Sequence, residues 1–182
     1  MEIIKRDKTI QEYDRNKIKN AVRKAFSSLN NKIDENILEK LVKEIESEFS
    51  GEISVEYIQD KVEEKLMKYG FYKEAKAYIL YRDEHKKKRE IINEIISLTN
   101  DPSLLPLLKK VNEDFKGDNY SLSLLLNKFQ SMIKEEMDEE YAYNMLIRSA
   151  VELISKDAPK WEFIAARFLS HSLNKEIDKK MT

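Results

Sequence analysis

The feature that most restricts this chain is the spacing of its apolar residues. They recur every three or four positions along most of its 182 residues, with only three glycines and three prolines to interrupt them. That period puts apolar side chains on one face of a helix, and so few turn-forming residues argue against an all-β fold. Ile18, Val22, Ala25, Phe26 and Leu29 follow it, and Asp14 stands where a helix N-cap belongs. After the loop "NNKID", Asp34 caps a second helix with the stripe Ile37, Leu38, Leu41, Val42 and Ile45. Gly51 marks a turn, and Ile53 ends a short extended piece. Ser54 caps a third helix presenting Val55, Ile58, Val62 and Leu66, which Gly70 ends. A fourth runs from Tyr72 through Ala75, Tyr78, Ile79 and Arg82, and on through Ile91, Ile92, Ile95 and Ile96.

The first dozen residues depart from this period. Residues 3–6 and 9–13 alternate as two short strands around a turn at Asp7-Lys8, so the chain opens with a hairpin. The break "TNDPS" separates the two halves, with Asp101 as a cap and Pro102 at a first helical position. Helices follow over residues 104–115, 122–133, 140–155 and 160–175, with "KGDN" as a turn and "KDAP" as a stop. Trp161, Ile164, Ala165, Phe168 and Leu169 share one side of the last helix. The expected architecture is mainly α: an N-terminal β-hairpin over a four-helix bundle in residues 1–89, then a second all-helical region in residues 90–182. No Pro/Ser/Gly-rich tether lies between the two, so docking or a stiff helical connection is expected.

Charge and composition exclude several functions. The formal net charge is −1, so nothing draws the whole chain to nucleic acid or membrane, and an anion site must be a local cluster. The run "HKKKR" is short and lacks interleaved aromatics, which argues against a nucleic-acid patch. The absence of cysteine removes disulfides, zinc ribbons and thiolate nucleophiles. His85 and His171 are the only histidines, too few for a multi-histidine metal centre. The chain's start lacks a signal peptide's apolar core, and no apolar run is long enough to span a bilayer. A cytoplasmic location is expected.

Two clusters could carry chemistry. Lys5, Arg6 and Lys17 surround the hairpin, and Asp14, Lys17 and Ile18 share one helical face at i, i+3 and i+4. That face offers an acceptor, a cation and an apolar surface, which suit ribose, phosphate and adenine. On a strand, Lys5 and Arg6 would point to opposite faces, so only one could meet a given ligand. The second cluster, Tyr78, Arg82 and His85, also lies on one stripe, and Arg82 could grip phosphate as a fork. Neither GxxxxGK[ST] nor GxGxxG occurs. A nucleotide would therefore be held by Lys and Arg side chains, strand backbone and helix N-termini such as Ser54-Val55. The acidic "KEEMDEEY" reads as a solvated face, and His171 as a helix-surface or interface residue.

These residues resemble a known family. "KRD" at Lys5-Arg6-Asp7, "YD" at Tyr13-Asp14 and "KI" at Lys17-Ile18 stand in the register of the ATP-cone domain, the nucleotide-binding regulatory module of ribonucleotide reductases. "ISVEYIQDKVEEKLM" and "EAKAYILYR" resemble its third and fourth helices. Lys8 departs from the glycine usual there. "LIRSAVELISKDAPKWEFIAARFL" is similar to the helical segment before the catalytic barrel of class I large subunits, and to the last two helices of a cone, so a degenerate second cone is one reading of this half.

The resemblance places Lys5, the stretch Gln11, Glu12, Tyr13, Asp14, Arg15, Asn16 and Lys17, together with Val55 and His85, at nucleotide-contact positions. Arg6, Ile18, Ile58 and Arg82 are their neighbours. It implies ATP or dATP as allosteric effector with Mg²⁺ held through phosphate oxygens, and control of overall activity through subunit association. Reductase subunits, both copies of itself and the small subunit, are the implied partners. It also implies that this chain alone is no enzyme and that the natural chain continues past Thr182. Two alternatives stand beside it: a helical interaction or oligomerisation module whose cone binds nothing, and the cone of a reductase-gene repressor. The repressor's cysteine zinc ribbon has no counterpart here.

Overall fold

A computed structural model of the chain describes residues 2–6, 8–134 and 137–181. The order of elements is β1 (Glu2–Ile4), β2 (Ile10–Glu12), α1 (Arg15–Ser27), α2 (Glu35–Ser47), β3 (Ile53–Ser54), α3 (Val55–Lys68), α4 (Tyr72–Thr99), α5 (Leu104–Asp114), a 3-10 turn (Asp118–Tyr120), α6 (Leu122–Met132), α7 (Glu139–Glu152) and α8 (Trp161–Met181). The protein is mainly α with a small N-terminal sheet, as expected. It divides into two compact units, residues 1–85 and 86–182. The long helix α4 contributes its first turns to the first unit, and Ile92 and Ile95 to the core of the second.

In the first unit, β1 is the central strand. β2 pairs with it antiparallel, Ile3 opposite Gln11, and β3 pairs with it parallel, Ile3 opposite Ile53. The hairpin expectation is thus extended by a third strand and corrected in length. Lys5 and Arg6 lie in the turn and not on β1, so strand alternation does not divide them. The Lys5 N–H donates to the Thr9 carbonyl at 2.8 Å and the Lys8 N–H to the Lys5 carbonyl at 3.0 Å, which closes the turn. Asp7, the other half of the expected turn, is outside the described residues. Lys8 adopts φ 65°, the left-handed region that glycine enters at no steric cost.

One face of the sheet packs on the helices. Ile3 and Ile53 join Val22, Phe26, Leu38, Leu41, Ile45, Val62 and Leu66 in one core, with Ala75 and Tyr78 of α4. Three caps fall where the side chains dictated. Asp14 accepts from the Asn16 N–H, Asp34 from Asn36 and Ile37, and Ser54 from Tyr57. Two apolar residues of the stripes expected for α1 and α2 do not join the core. Leu29 lies beyond the end of α1, and Ile37 faces solvent on the first turn of α2.

The second unit is all helix around Trp161, Phe129, Phe168, Leu104, Leu108, Leu125, Leu146 and Ile164. The Trp161 indole N–H donates to the Asn119 carbonyl at 2.8 Å, which fixes the 3-10 turn against α8. Helix α5 begins at Leu104, as expected, and Asp101 Oδ1 accepts from the N–H and hydroxyl of Ser103, capping the turn at Pro102-Ser103 that leads into it. Two expectations change here. Leu169 is exposed, since the buried face of α8 ends at Phe168. His171 is no simple surface residue. Its Nε2 lies 3.0 Å from the Ser103 hydroxyl, and Tyr143 stacks on its ring. Glu135 and Glu136 of the acidic run are outside the described residues.

Candidate functional site

Helix α1 builds the site. Asp14 caps it in an extended conformation, so the chain turns from β2 into the helix at that residue. One helical face then carries Asp14, Lys17, Ile18 and Ala21 at i, i+3, i+4 and i+7 toward a single cavity of about 170 Å³. Across it, α3 presents Val55, Ile58, Gln59 and Val62 in the same rhythm. The sheet contributes Ile3 and Gln11, which stand directly opposite each other across the β1–β2 pair. Tyr13 and Tyr78 complete the lining. The wall is mostly apolar, with polar groups concentrated on the α1 side.

The polar groups are placed by bonds of their own. Asp14 uses Oδ1 for the cap, 2.9 Å from the Asn16 nitrogen. The Lys17 ammonium makes a long contact, 3.4 Å, with Gln11 Oε1. Tyr13 donates to Glu46 at 2.8 Å and meets Phe49 edge-on. Burial, and then that bond to a carboxylate, push its phenol well above the usual tyrosine range. Burial likewise pushes Tyr78 up to about 12, against the opposing pull of Arg82 and Arg6. Both phenols therefore stay neutral at physiological pH and serve as wall and hydrogen-bond donor, not as bases.

Of the expected site residues, the cavity brings together Gln11, Tyr13, Asp14, Lys17, Ile18, Val55 and Ile58. It does not bring in the others by direct lining. Arg15 turns away to α2, where it pairs with Glu39 and Glu46. Glu12, Asn16 and Lys5 lie outside the wall, and His85 is exposed further along α4, its ring beside that of Tyr81. Arg82 does not present a free fork: it donates to Asp60 at 2.6 Å and to Glu63 at 2.7 Å. Arg6 pairs with Glu56 and donates to Gln59 at 2.8 Å, so it reaches the cavity through a residue of its wall. Sequence reasoning left Ile3, Ala21, Gln59 and Val62 out of the site, and put Tyr78 in a separate cluster with Arg82 and His85. Helical spacing from Lys17, Val55 and Ile58 finds Ala21, Gln59 and Val62, and cross-strand pairing with Gln11 finds Ile3.

The two helix N-termini at the cavity differ in charge. The first turn of α1 carries no acidic residue and includes Arg15 and Lys17, whereas that of α3 carries Glu56. The α1 end is the more favourable for an anion. A cavity of this size is smaller than the roughly 300–1,000 Å³ of sites that enclose a whole drug-sized ligand. It suits one flat ring system, with charged groups left outside at the mouth. Among the described residues, no cluster of three or more His, Asp or Glu side chains is arranged to hold a metal ion, and no helix is long and apolar enough to cross a membrane.

Residues 1–87 match the ATP cone domain. Over 111 residues, 61% of this chain, the sequence is 45% identical to the ribonucleoside-diphosphate reductase subunit alpha of Treponema pallidum (strain Nichols), and the match covers 13% of that relative's length. The first unit of this protein thus matches the ATP cone domain, and the chain is similar to the amino-terminal region of a ribonucleotide reductase alpha subunit.

Proposed function

We propose that this chain is the nucleotide-sensing region of a ribonucleotide reductase large subunit, and that its first unit binds ATP or dATP as an effector. The observation that carries this reading is the cavity itself. In a unit that matches the ATP cone, it puts an acceptor, a cation and an apolar wall on one face of α1. Adenine enters between Ile18, Ala21 and the α3 wall. The ribose lies at Asp14, and the phosphates stay outside at Lys17, Lys5 and the amides of the α1 N-terminus. Mg²⁺ would be held through the phosphates and water, since the carboxylates nearest the mouth are engaged with Arg6 and Arg82.

ATP and dATP differ by one ribose hydroxyl. An acceptor set beside that hydroxyl is the means of telling them apart, because its partner is lost when the hydroxyl is absent. Coupling to the rest of the enzyme through subunit association, with ATP favouring the active form and dATP the inhibited one, needs about 1–3 kcal/mol between two arrangements. The second unit is read as the helical segment leading to a catalytic barrel; its sequence also echoes the last helices of a cone. The reduction itself belongs to parts outside this chain, and the location is cytoplasmic.

Calorimetric titration of the chain with ATP, dATP and adenosine tests the site. Both nucleotides are expected to bind in the presence of Mg²⁺, and Lys17→Ala to weaken them far more than adenosine. Light scattering with each nucleotide then reads the change in association. Absence of heat with all three ligands would leave a helical interaction module in place of a sensor.

A further inference from the structure

The four cations near the cavity mouth are not equivalent. Lys5 and Lys17 make no ion pair among the described residues, whereas Arg6 and Arg82 are both held by α3. Their partners Glu56, Gln59, Asp60 and Glu63 form one stripe at i, i+3, i+4 and i+7, beside the stripe that lines the cavity. Arg82 is held by two carboxylates, and its side chain is 21% exposed. Arg6 has one carboxylate and one amide, and the pair with Glu56 is open to water, 38% and 43% exposed. A ligand's phosphate can take Arg6 from a single half-exposed carboxylate. It cannot readily take Arg82 from two.

We propose that Glu56 is a built-in competitor for the phosphates of the bound nucleotide, occupying Arg6 in the empty site and so setting how much charge a ligand must carry to close it. The inference rests on the reading of the cavity as a nucleotide site. When a triphosphate arrives, Arg6 exchanges Glu56 for phosphate, and the released carboxylate then stands close to the ligand's own negative charge. Both effects oppose binding, and both scale with the number of phosphates. Adenosine, which carries none, is indifferent to Glu56. Gln59 accepts from Arg6 through its Oε1 and also lines the cavity, so the exchange at the mouth is transmitted to the wall.

The test is a double-mutant cycle read by calorimetry with ATP and with adenosine. Removing a half-exposed pair of this kind should tighten ATP by about two- to fivefold in Glu56→Gln, with adenosine unchanged. The gain should be smaller in an Arg6→Gln background, where there is no cation to release and only the repulsion remains. Unchanged or weaker ATP binding in Glu56→Gln overturns the proposal. So does an equal gain in both backgrounds, which would mean simple through-space repulsion. A second measurement needs no variant: the Arg6 Nε–H resonance of the unaltered protein should move with ATP and not with adenosine, and a resonance that ignores ATP overturns the exchange. If the unaltered protein binds neither ligand, the reading of the site itself falls. If it binds both and Glu56 has no effect, only the present inference does.

Discussion

Ala21→Leu is the substitution that asks most directly whether the cavity is empty space that receives a base. Ala21 sits on the inner face of α1, half-buried, and contributes to the cavity wall beside Ile18. Leucine is nearly as good a helix former as alanine, so the helix itself is not at issue. The change adds three carbons. If they enter the cavity, each buried carbon contributes about 0.8 kcal/mol at most, and the unliganded protein gains up to about 2 kcal/mol. If the cavity is instead closed by packed side chains, the same change overpacks the core and costs about 1–3 kcal/mol. The sign of the stability change therefore reports the space. Binding moves the opposite way, because the added side chain stands where the ring would lie. Loss of ring contacts worth about 1–3 kcal/mol weakens adenosine and ATP by about 5- to 150-fold. Thermal unfolding followed by circular dichroism and calorimetric titration give the two numbers on one sample. A variant that is more stable yet binds adenosine as before would refute the placement of the base, and a destabilised one would refute the cavity.

Three further expectations concern stability. Lys8→Gly relieves a left-handed residue at φ 65°. Set against glycine's greater freedom in the unfolded chain, the net gain is about 0.5–1 kcal/mol, seen as a higher unfolding midpoint; a lower one would contradict it. Glu48 joins α2 to α3 through Lys61 and the buried Lys65, and hydrogen bonds from those two ammonium groups hold its carboxyl down at about 2. A depressed carboxylate contributes stability that is complete above its ordinary value near 4.5 and is lost as pH falls toward 2. Acid titration of Glu48→Gln should show a shallower loss over that window than the unaltered protein, and equal slopes would contradict it. In the second unit, Lys175 pairs at 2.8 Å with the buried Asp101. Lys175→Ala should cost about 1–3 kcal/mol by leaving that charge under-satisfied. The fluorescence of Trp161, the chain's only tryptophan, reads the transition, and an unchanged midpoint would show that Ser103 and His171, whose Nε2 lies 3.7 Å from Asp101 Oδ2, satisfy Asp101 without Lys175.

The helices were legible because burial on one side imposes a period that any reader of the sequence can count. Asp14, Asp34 and Ser54 start their helices as their side chains require. The third strand was not legible as one. Ile53-Ser54 is two residues long, and its partner β1 lies some fifty positions away, so nothing local announces the pairing. Ile37 and Leu169 show the limit of a stripe: apolar identity tells which face turns inward, not how far the neighbouring helix reaches along it. The half of the candidate site on α1 followed from helical spacing. What spacing could not supply was the pairing of the cations. Arg15, at a position the resemblance implies for nucleotide contact, lies against Glu39 and Glu46, and Arg82, the expected phosphate fork, against Asp60 and Glu63. In a chain with 34 acidic residues, which carboxylate faces which guanidinium is decided by the crossing of helices, and spacing within one helix carries no information about that.

Asp14 explains why the α1 half of the site and the start of the helix could be read together. Its Oδ1 caps the helix, an interaction worth about 1 kcal/mol, and the same carboxylate has a second oxygen for a ligand at the cavity it lines. Receiving a ribose hydroxyl there requires no bond to break, since the cap is kept. The folding of α1 thus sets the carboxylate, Lys17 and the apolar positions Ile18 and Ala21 in place before any ligand arrives. Arg6 is in the opposite situation: its guanidinium is already engaged by Glu56 and Gln59, and a phosphate must displace them. On this reading the ribose end of the site is preorganised and the phosphate end is a competition. A response to nucleotide binding then starts at the mouth, in the turn between β1 and β2 and the first turn of α3, and not at the base. That is also where a sensor gains from an adjustable part: the pocket for adenine can stay rigid while the exchange at Arg6 and Glu56 sets the concentration at which the site fills.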